Sequence, residues 1–251
     1  MARYNTIIFD LGFTLVIFEN FTLERYFKTL NQGLDSMTQF LLGKNIITDP
    51  IKFKKKFKMF RNRNFEKSLI NNEETTTEET LRQTLEFLNI HPIDPQILQK
   101  AVLIYHSTEG AFWKIRTTAK PILQQLKAEN FKLGVLSNAP FHQGILSFLE
   151  VNEISQYFDA IATSAQIGFC KPHRRTFEFI LEKLESKPSQ SIMVGDDLKN
   201  DIYGAQQIGM KTIYLKKNFN LPSSHSLQVV PDYEIEDLPE IIPIIRKWNN
   251  S

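Results

Sequence analysis

Cysteine is nearly absent from this 251-residue chain: Cys170 stands alone, which excludes an intramolecular disulfide and a cysteine-based zinc site. That usage fits a reducing compartment, and a cytoplasmic location is the expectation. Long apolar runs are also lacking, so no stretch reads as a bilayer span and no membrane partner is expected. The apolar N-terminal run is broken at Asp10 and no small-residue cleavage pattern follows it, which argues against a signal peptide. Excess charge of either sign is missing too. Thirty Lys and Arg against 28 Asp and Glu leave a formal charge of +2, which offers no whole-chain argument for a nucleic-acid partner. There is no visible internal repeat. What remains is an ordinary globular composition, 42% apolar, long enough for one large domain or one domain carrying an insertion.

Short β-rich apolar runs are present at residues 6–9, 132–136, 159–163, 192–194 and 212–215, each followed by a helical pattern. Strand then helix, repeated, predicts a parallel α/β sheet. The runs are almost continuously apolar, as expected where helices cover both faces of the sheet. Between the first and second runs lie residues 18–110, which read as helical and are too long for a single crossover. Leu81, Leu85 and Leu88 recur at helical spacing behind a Thr76/Glu79 capping pattern. The expectation is a core of residues 1–17 and 111–251, with a helical subdomain of residues 18–110 inserted in it. The polar "NNEETTTEET" reads as a loop leading into one insert helix. In "IKFKKKFKMFRNRN", seven basic residues accompany Phe53, Phe57 and Phe60. The favoured reading is an amphipathic helix with its phenylalanines inside and its lysines in water, ahead of a polyanion-binding surface.

Three polar clusters each fall directly after a predicted strand: Asp10; Ser137 with Asn138; and Asp196 with Asp197. Lys171 follows a fourth. In an open parallel sheet, the loops at the carboxyl ends of the strands converge on one crevice, so these residues become neighbours. A carboxylate beside a hydroxyl, a lysine and further carboxylates suits phosphoryl transfer. The carboxylate attacks phosphorus, a divalent cation held by carboxylates offsets charge repulsion, and lysine neutralises the transferring oxygens. Taken alone, Ser137 and Asn138 could equally cap a helix, and Asp197 reads best as an exposed residue at a helix N-terminus.

These stretches together resemble the haloacid dehalogenase-like superfamily. "FDLGFTLV" looks like its first motif, "VLSNAP" its second, "GFCKPHRRTF" its third and "VGDDLKNDIYGAQQIGMKTIYL" its fourth, with "PDYEIEDLPEII" a familiar ending. The resemblance implies a doubly wound Rossmann-like core with a helical cap over the crevice, and hydrolysis of a small phosphorylated metabolite with Mg2+. It implies Asp10 as nucleophile and metal ligand, the Gly12 carbonyl and Asp196 as further ligands, and Asp201 as support for the metal's water shell. Thr14 would hold the first loop, while Ser137, Asn138 and Lys171 would bind phosphate.

One thing the resemblance leads one to expect is absent. Gly12 stands where phosphatases of this superfamily carry a second aspartate, whose side chain protonates the leaving oxygen. Glycine keeps the carbonyl and loses the acid, a loss of roughly 10²–10⁴ in rate. Acyl, anomeric and aryl phosphates, whose leaving groups need little protonation, should suffer least. His142, His173, His106 and Tyr105 are the candidate substitute acids. Two alternatives follow from the same glycine: a protein that binds a phosphorylated ligand or a protein partner without turnover, and a metal-independent 2-haloacid dehalogenase. The retained Asp196, Asp197 and Asp201 argue against the latter, because without a cation they would repel a haloacid carboxylate.

Overall fold

The structure is a computed structural model that describes residues 4–217 and 228–250. Its centre is a six-stranded parallel sheet in the order β5 (Ala160–Thr163), β4 (Lys132–Ser137), β1 (Thr6–Phe9), β6 (Ser191–Gly195), β7 (Lys211–Leu215) and β8 (Tyr233–Ile235). The chain leaves β1 toward β4 and β5 on one side, then returns to build β6, β7 and β8 on the other. The order therefore reverses at β1, where a crevice opens at the carboxyl ends of the strands. In register, Phe9 lies beside Val135 of β4 and Val194 of β6, which puts the residue after β1 between the ends of those two strands.

The apolar strands alternate their side chains between two cores, as the pleat requires. Ile7, Phe9, Leu133, Val135, Ile192 and Val194 point to one core, shared with α5 (Ala119–Ala128), α6 (His142–Val151) and α10 (Ile241–Asn250). Ile8, Leu136 and Met193 point to the other, shared with α8 (Arg174–Lys183) and α9 (Gly204–Gln206). A single-turn helix, α7 (Ser164–Ile167), follows β5.

Between β1 and β4 the chain first forms β2 (Val16–Phe18), then α1 (Leu23–Gly43), α2 (Pro50–Asn71), α3 (Thr77–Phe87) and α4 (Pro95–Gly110), and returns through β3 (Trp113–Ile115). The four helices enclose an apolar core of their own, in which Leu34, Met37, Phe53, Phe57, Leu81, Leu85 and Val102 are buried. Leu88 is only partly buried against it, and the Thr76 hydroxyl caps α3 by accepting from the Glu79 amide. In α2 the three phenylalanines face inward and Lys52, Lys55 and Lys58 face solvent, in keeping with the amphipathic reading. β2 and β3 pair antiparallel, with Phe18 opposite Trp113, so the outgoing and returning chains run side by side. These two strands and β8 were not legible as apolar runs, being three residues each.

A second connection was not foreseen. The loop between α2 and α3, inside "NNEETTTEET", is bound to the sheet's own loops: the Cys170 amide donates to Asn72 O, the Glu74 amide to Gly168 O and the Thr77 amide to Pro140 O. The Glu74 carboxylate also accepts from Ser164 Oγ at 2.5 Å and Cys170 Sγ at 3.4 Å. Burial pushes the Glu74 carboxyl above its usual value, and the same burial pushes the Cys170 thiol up to about 12.

Candidate active site

Lys171 is the hub of the crevice. Its Nζ donates to Asp10 Oδ1 and Asp201 Oδ1, both at 2.6 Å, and to Leu136 O at 2.8 Å, and the residue is 3% exposed. The backbone behind it is clamped by Asn138, whose Oδ1 accepts from the Lys171 amide at 2.7 Å and whose Nδ2 donates to Lys171 O at 3.0 Å. Asn138 thus reaches the lysine's main chain, while Ser137 lies buried at the end of β4, opposite Thr163 of β5.

Asp10 follows β1 directly, its amide extending the ladder by donating to Val194 O at 2.9 Å. Asp196 follows β6. Asp201 comes from a wide π-helical turn, Leu198–Tyr203, in which the Ile202 amide reaches back five residues to Asp197 O. That turn folds Asp201 over Gly195, and only glycine fits there: a Cβ at Gly195 would lie 2.3 Å from Asp201 Oδ2. Asp10, Asp196 and Asp201 each offer a carboxylate oxygen, and the three oxygens lie within 4.8 Å of one another. Hard, all-oxygen donors of this kind suit Mg2+, so the residues present fit the expected metal. Asp197 is half-buried rather than exposed, because its carboxylate turns inward to cap the π turn, accepting from the Lys199 and Asn200 amides.

Lys217 and Arg116 escaped sequence reading. Lys217, just after β7, donates from Nζ to Asp196 Oδ2 at 2.7 Å, while Thr14 Oγ1 donates to Asp196 Oδ1 at 3.2 Å. The rule that strand carboxyl ends carry function would have pointed to Lys217, since it follows the predicted strand at 212–215. The first loop is also held by Arg116, whose guanidinium donates to Phe13 O and Thr14 O, both at 3.0 Å. Phe13 needs such support, being left-handed at φ 60°, which costs a β-carbon residue about 1–3 kcal/mol.

Electrostatics favour a cation here. Burial pushes Asp10 up to about 6 despite the opposing Lys171, with Asp196 adding to the rise. Burial likewise pushes Asp201 up to about 7 against Lys171, helped by Asp10 and Asp197. Asp196 is raised by burial, with Lys217 opposing and Asp201 reinforcing. For Lys171, burial works against the charge, and Asp10 with Asp201 outweighs it, so the amine is held above the ordinary lysine value. Unfolded aspartates titrate near 3.8, so between about pH 4 and pH 7 the folded chain holds more protons at Asp10 and Asp201 than the unfolded chain. The contribution of these two groups to stability therefore falls as pH rises through that window. In EDTA the melting temperature is expected to be lower at pH 8 than at pH 5.5, and Mg2+ should recover most of the difference by binding the ionised cluster. A flat profile in EDTA would contradict this electrostatic picture.

None of the candidate substitute acids is unoccupied. His142 Nδ1 sits 3.0 Å from Thr163 Oγ1, with burial holding the ring below its ordinary pKa. His173 caps α8 and stacks on Phe169. His106 Nε2 lies 2.8 Å from Thr77 Oγ1, and the ring stacks on Phe141. The Tyr105 hydroxyl accepts from Arg61 at 3.3 Å. What does face Gly12 is Trp113: a Cβ built on the glycine would stand 3.7 Å from Trp113 Cη2.

A doubly wound parallel sheet with carboxylates and a lysine gathered at its switch point defines the class of α/β hydrolases with an aspartate at the end of the first strand. The pattern of the family described as haloacid dehalogenase-like hydrolase matches residues 48–215, and the chain belongs to that family. Among relatives, glyceraldehyde 3-phosphate phosphatase of Pyrococcus furiosus is 29% identical over 158 residues, 63% of this chain. The chain spans 65% of that protein's length. Pyrophosphatase PpaX of Bacillus cereus (strain G9842) is 23% identical over 99% of this chain and 100% of its own. A 2-haloacid dehalogenase structure from Pseudomonas syringae pv. Tomato DC3000 superposes with a TM-score of 0.69 at 20% identity, covering 99% of this chain and 100% of that one. A HAD phosphatase structure from Thermococcus onnurineus does so with a TM-score of 0.60, also at 20% identity, covering 96% and 97%. At such identity the likeness concerns the fold, which both chemistries share. Among the described residues, no helix is long and apolar enough to cross a membrane.

Proposed function

We propose that this chain is a Mg2+-dependent phosphohydrolase that acts on a small phosphorylated metabolite through an aspartyl phosphate on Asp10. The observation that carries this reading is the buried Lys171 ammonium, 2.6 Å from both Asp10 and Asp201, within a three-carboxylate cluster. A haloacid dehalogenase working without metal has no use for that cluster, whose charge would repel a haloacid. The phosphatase and pyrophosphatase names of two relatives support phosphorus over carbon as the reacting centre.

In this reading Asp10 and Asp196 with the Gly12 carbonyl would hold Mg2+, supported by Asp201, and the ion would supply positive charge against the incoming phosphate. Lys171 keeps Asp10 ionised and neutralises a transferring oxygen, and the Ser137 hydroxyl donates to another. Asn138 keeps Lys171 in register, and Thr14 ties the first loop to Asp196. An Asp10 carboxylate oxygen bonds to phosphorus as the bond to the leaving oxygen breaks. That oxygen departs with its electron pair and without a proton from Gly12. Water then attacks the phosphorus, releasing inorganic phosphate and restoring Asp10. Residues 1–17 and 111–251 form the core, and residues 18–110 form the cap that chooses the substrate.

The test is hydrolysis of acetyl phosphate, glucose 1-phosphate and p-nitrophenyl phosphate, with Mg2+ or with EDTA. Turnover is expected with Mg2+ and not with EDTA. Silence on all three would point to a binding protein, and chloride release from 2-haloacids in EDTA would replace this reading with the dehalogenase.

A further inference from the structure

Gly12 leaves a gap in chemistry, but the space beside it is not bare. A Cβ at position 12 would lie 3.7 Å from Cη2, in the six-membered ring of Trp113. The other end of the indole is fixed. Nε1 donates to Glu109 Oε1 at 3.2 Å. Burial works against the charge of Glu109, yet hydrogen bonds from His106, Trp113 and Tyr26 hold its carboxyl below the ordinary value. An anchored N–H leaves the benzo edge of the indole facing the nucleophile loop.

Phe13 extends this wall. Its ring meets Trp113 edge-on, with centroids 5.1 Å apart, and meets Phe21 at 4.8 Å. The backbone holds Phe13 in the left-handed region, where the superfamily's usual first motif has glycine, so this chain keeps an aromatic ring at a position that disfavours one. Phe18, at the end of β2, is buried at 4% exposure with its ring edge-on to Trp113, centroids 5.3 Å apart. Trp113 packs on the sheet's core as well, yet it and Phe13 both stay partly exposed next to Gly12.

Resting on the phosphohydrolase reading, we propose that the substrate is an aryl phosphate, whose aromatic leaving group packs against Trp113 and Phe13. The two departures from the usual motif then serve one chemistry. As the Asp10 oxygen bonds to phosphorus, the bond from phosphorus to the aryl oxygen breaks and the electron pair leaves as a phenolate. A phenolate is stable enough to depart unprotonated, and solvent protonates it later. An alkoxide would need the acid that Gly12 lacks.

The test uses the full chain with Mg2+ and two inert probes, phenylphosphonate and methylphosphonate, with turnover of phenyl phosphate, pyrophosphate and acetyl phosphate measured in parallel. Phenylphosphonate should bind at least about tenfold more tightly, as one or two good aromatic contacts imply. Trp113→Leu should cut that ratio to about threefold or less, and Phe13→Leu should lower it in the same direction. Trp248→Phe, in α10, should leave it unchanged. A wild-type ratio near one, with methylphosphonate bound and acetyl phosphate hydrolysed, overturns the aryl assignment and leaves the phosphohydrolase standing. A ratio of ten that survives both Trp113→Leu and Phe13→Leu also overturns it, since the ring would then be held elsewhere. Absence of binding and of all turnover overturns both.

Discussion

Asp10→Asn is expected to lower Mg2+-dependent phosphate release by on the order of 10⁴-fold or more, because in the proposed mechanism it removes the attacking oxygen itself. That corresponds to about 5 kcal/mol of transition-state stabilisation. The substitution should not unfold the protein. Burial already pushes the Asp10 carboxyl up to about 6, so its ionised form carries a desolvation penalty that Lys171 offsets only in part. A neutral amide of the same shape relieves that penalty, and Lys171 keeps Asp201 and Leu136 O as acceptors. The expected pair of results is thus lost turnover with a melting temperature in EDTA at pH 8 no lower than wild type. Turnover within tenfold of wild type would remove Asp10 from the chemistry. Lost turnover with a collapsed melting curve would mean that Asp10 is needed for the fold, and the nucleophile assignment would have to rest on trapping the aspartyl phosphate.

Gly12→Asp should raise kcat/KM on a simple alkyl phosphate by roughly 10²–10⁴, the usual contribution of a general acid. Acetyl phosphate, which needs little protonation, should change far less. The structure has room for the new side chain: Gly12 is not in the left-handed region, and a Cβ there makes only an ordinary contact with Trp113. A longer side chain must turn along the indole, so the gain should come with weaker binding of phenylphosphonate. Equal, small changes on alkyl and acyl substrates would mean that a proton already reaches the leaving oxygen by another route. His106, His142 and His173 would then be examined through the pH–rate profiles of their alanine variants.

Much of this architecture was legible locally. The five strand segments were visible because residues facing two covered sheet surfaces must be apolar without interruption. The meeting of Asp10, Lys171 and Asp196 followed from a general property of parallel sheets, that the carboxyl ends of neighbouring strands share one crevice. The capped start of α3 and the inward phenylalanines of α2 followed from helical spacing and hydrogen-bonding rules that act within a few residues. Asp197 was misjudged for the same local reason: its position at a helix start was correct, but its inward turn depends on a π turn that one sequence does not announce.

The sequence by itself thus determined the strand pattern, the helical stretch between β1 and β4 and the polar residues at the strand ends, since each depends on short-range propensity or on spacing along the chain. Tertiary structure alone decided that Lys217 pairs with Asp196, that Glu74 binds the loop between α2 and α3 to Ser164 and Cys170, and that Trp113 faces Gly12 from about a hundred residues away. Those contacts join residues whose own neighbourhoods impose no preference for meeting. They arise from strand order and from how the helices pack, which the chain settles only when the whole core closes.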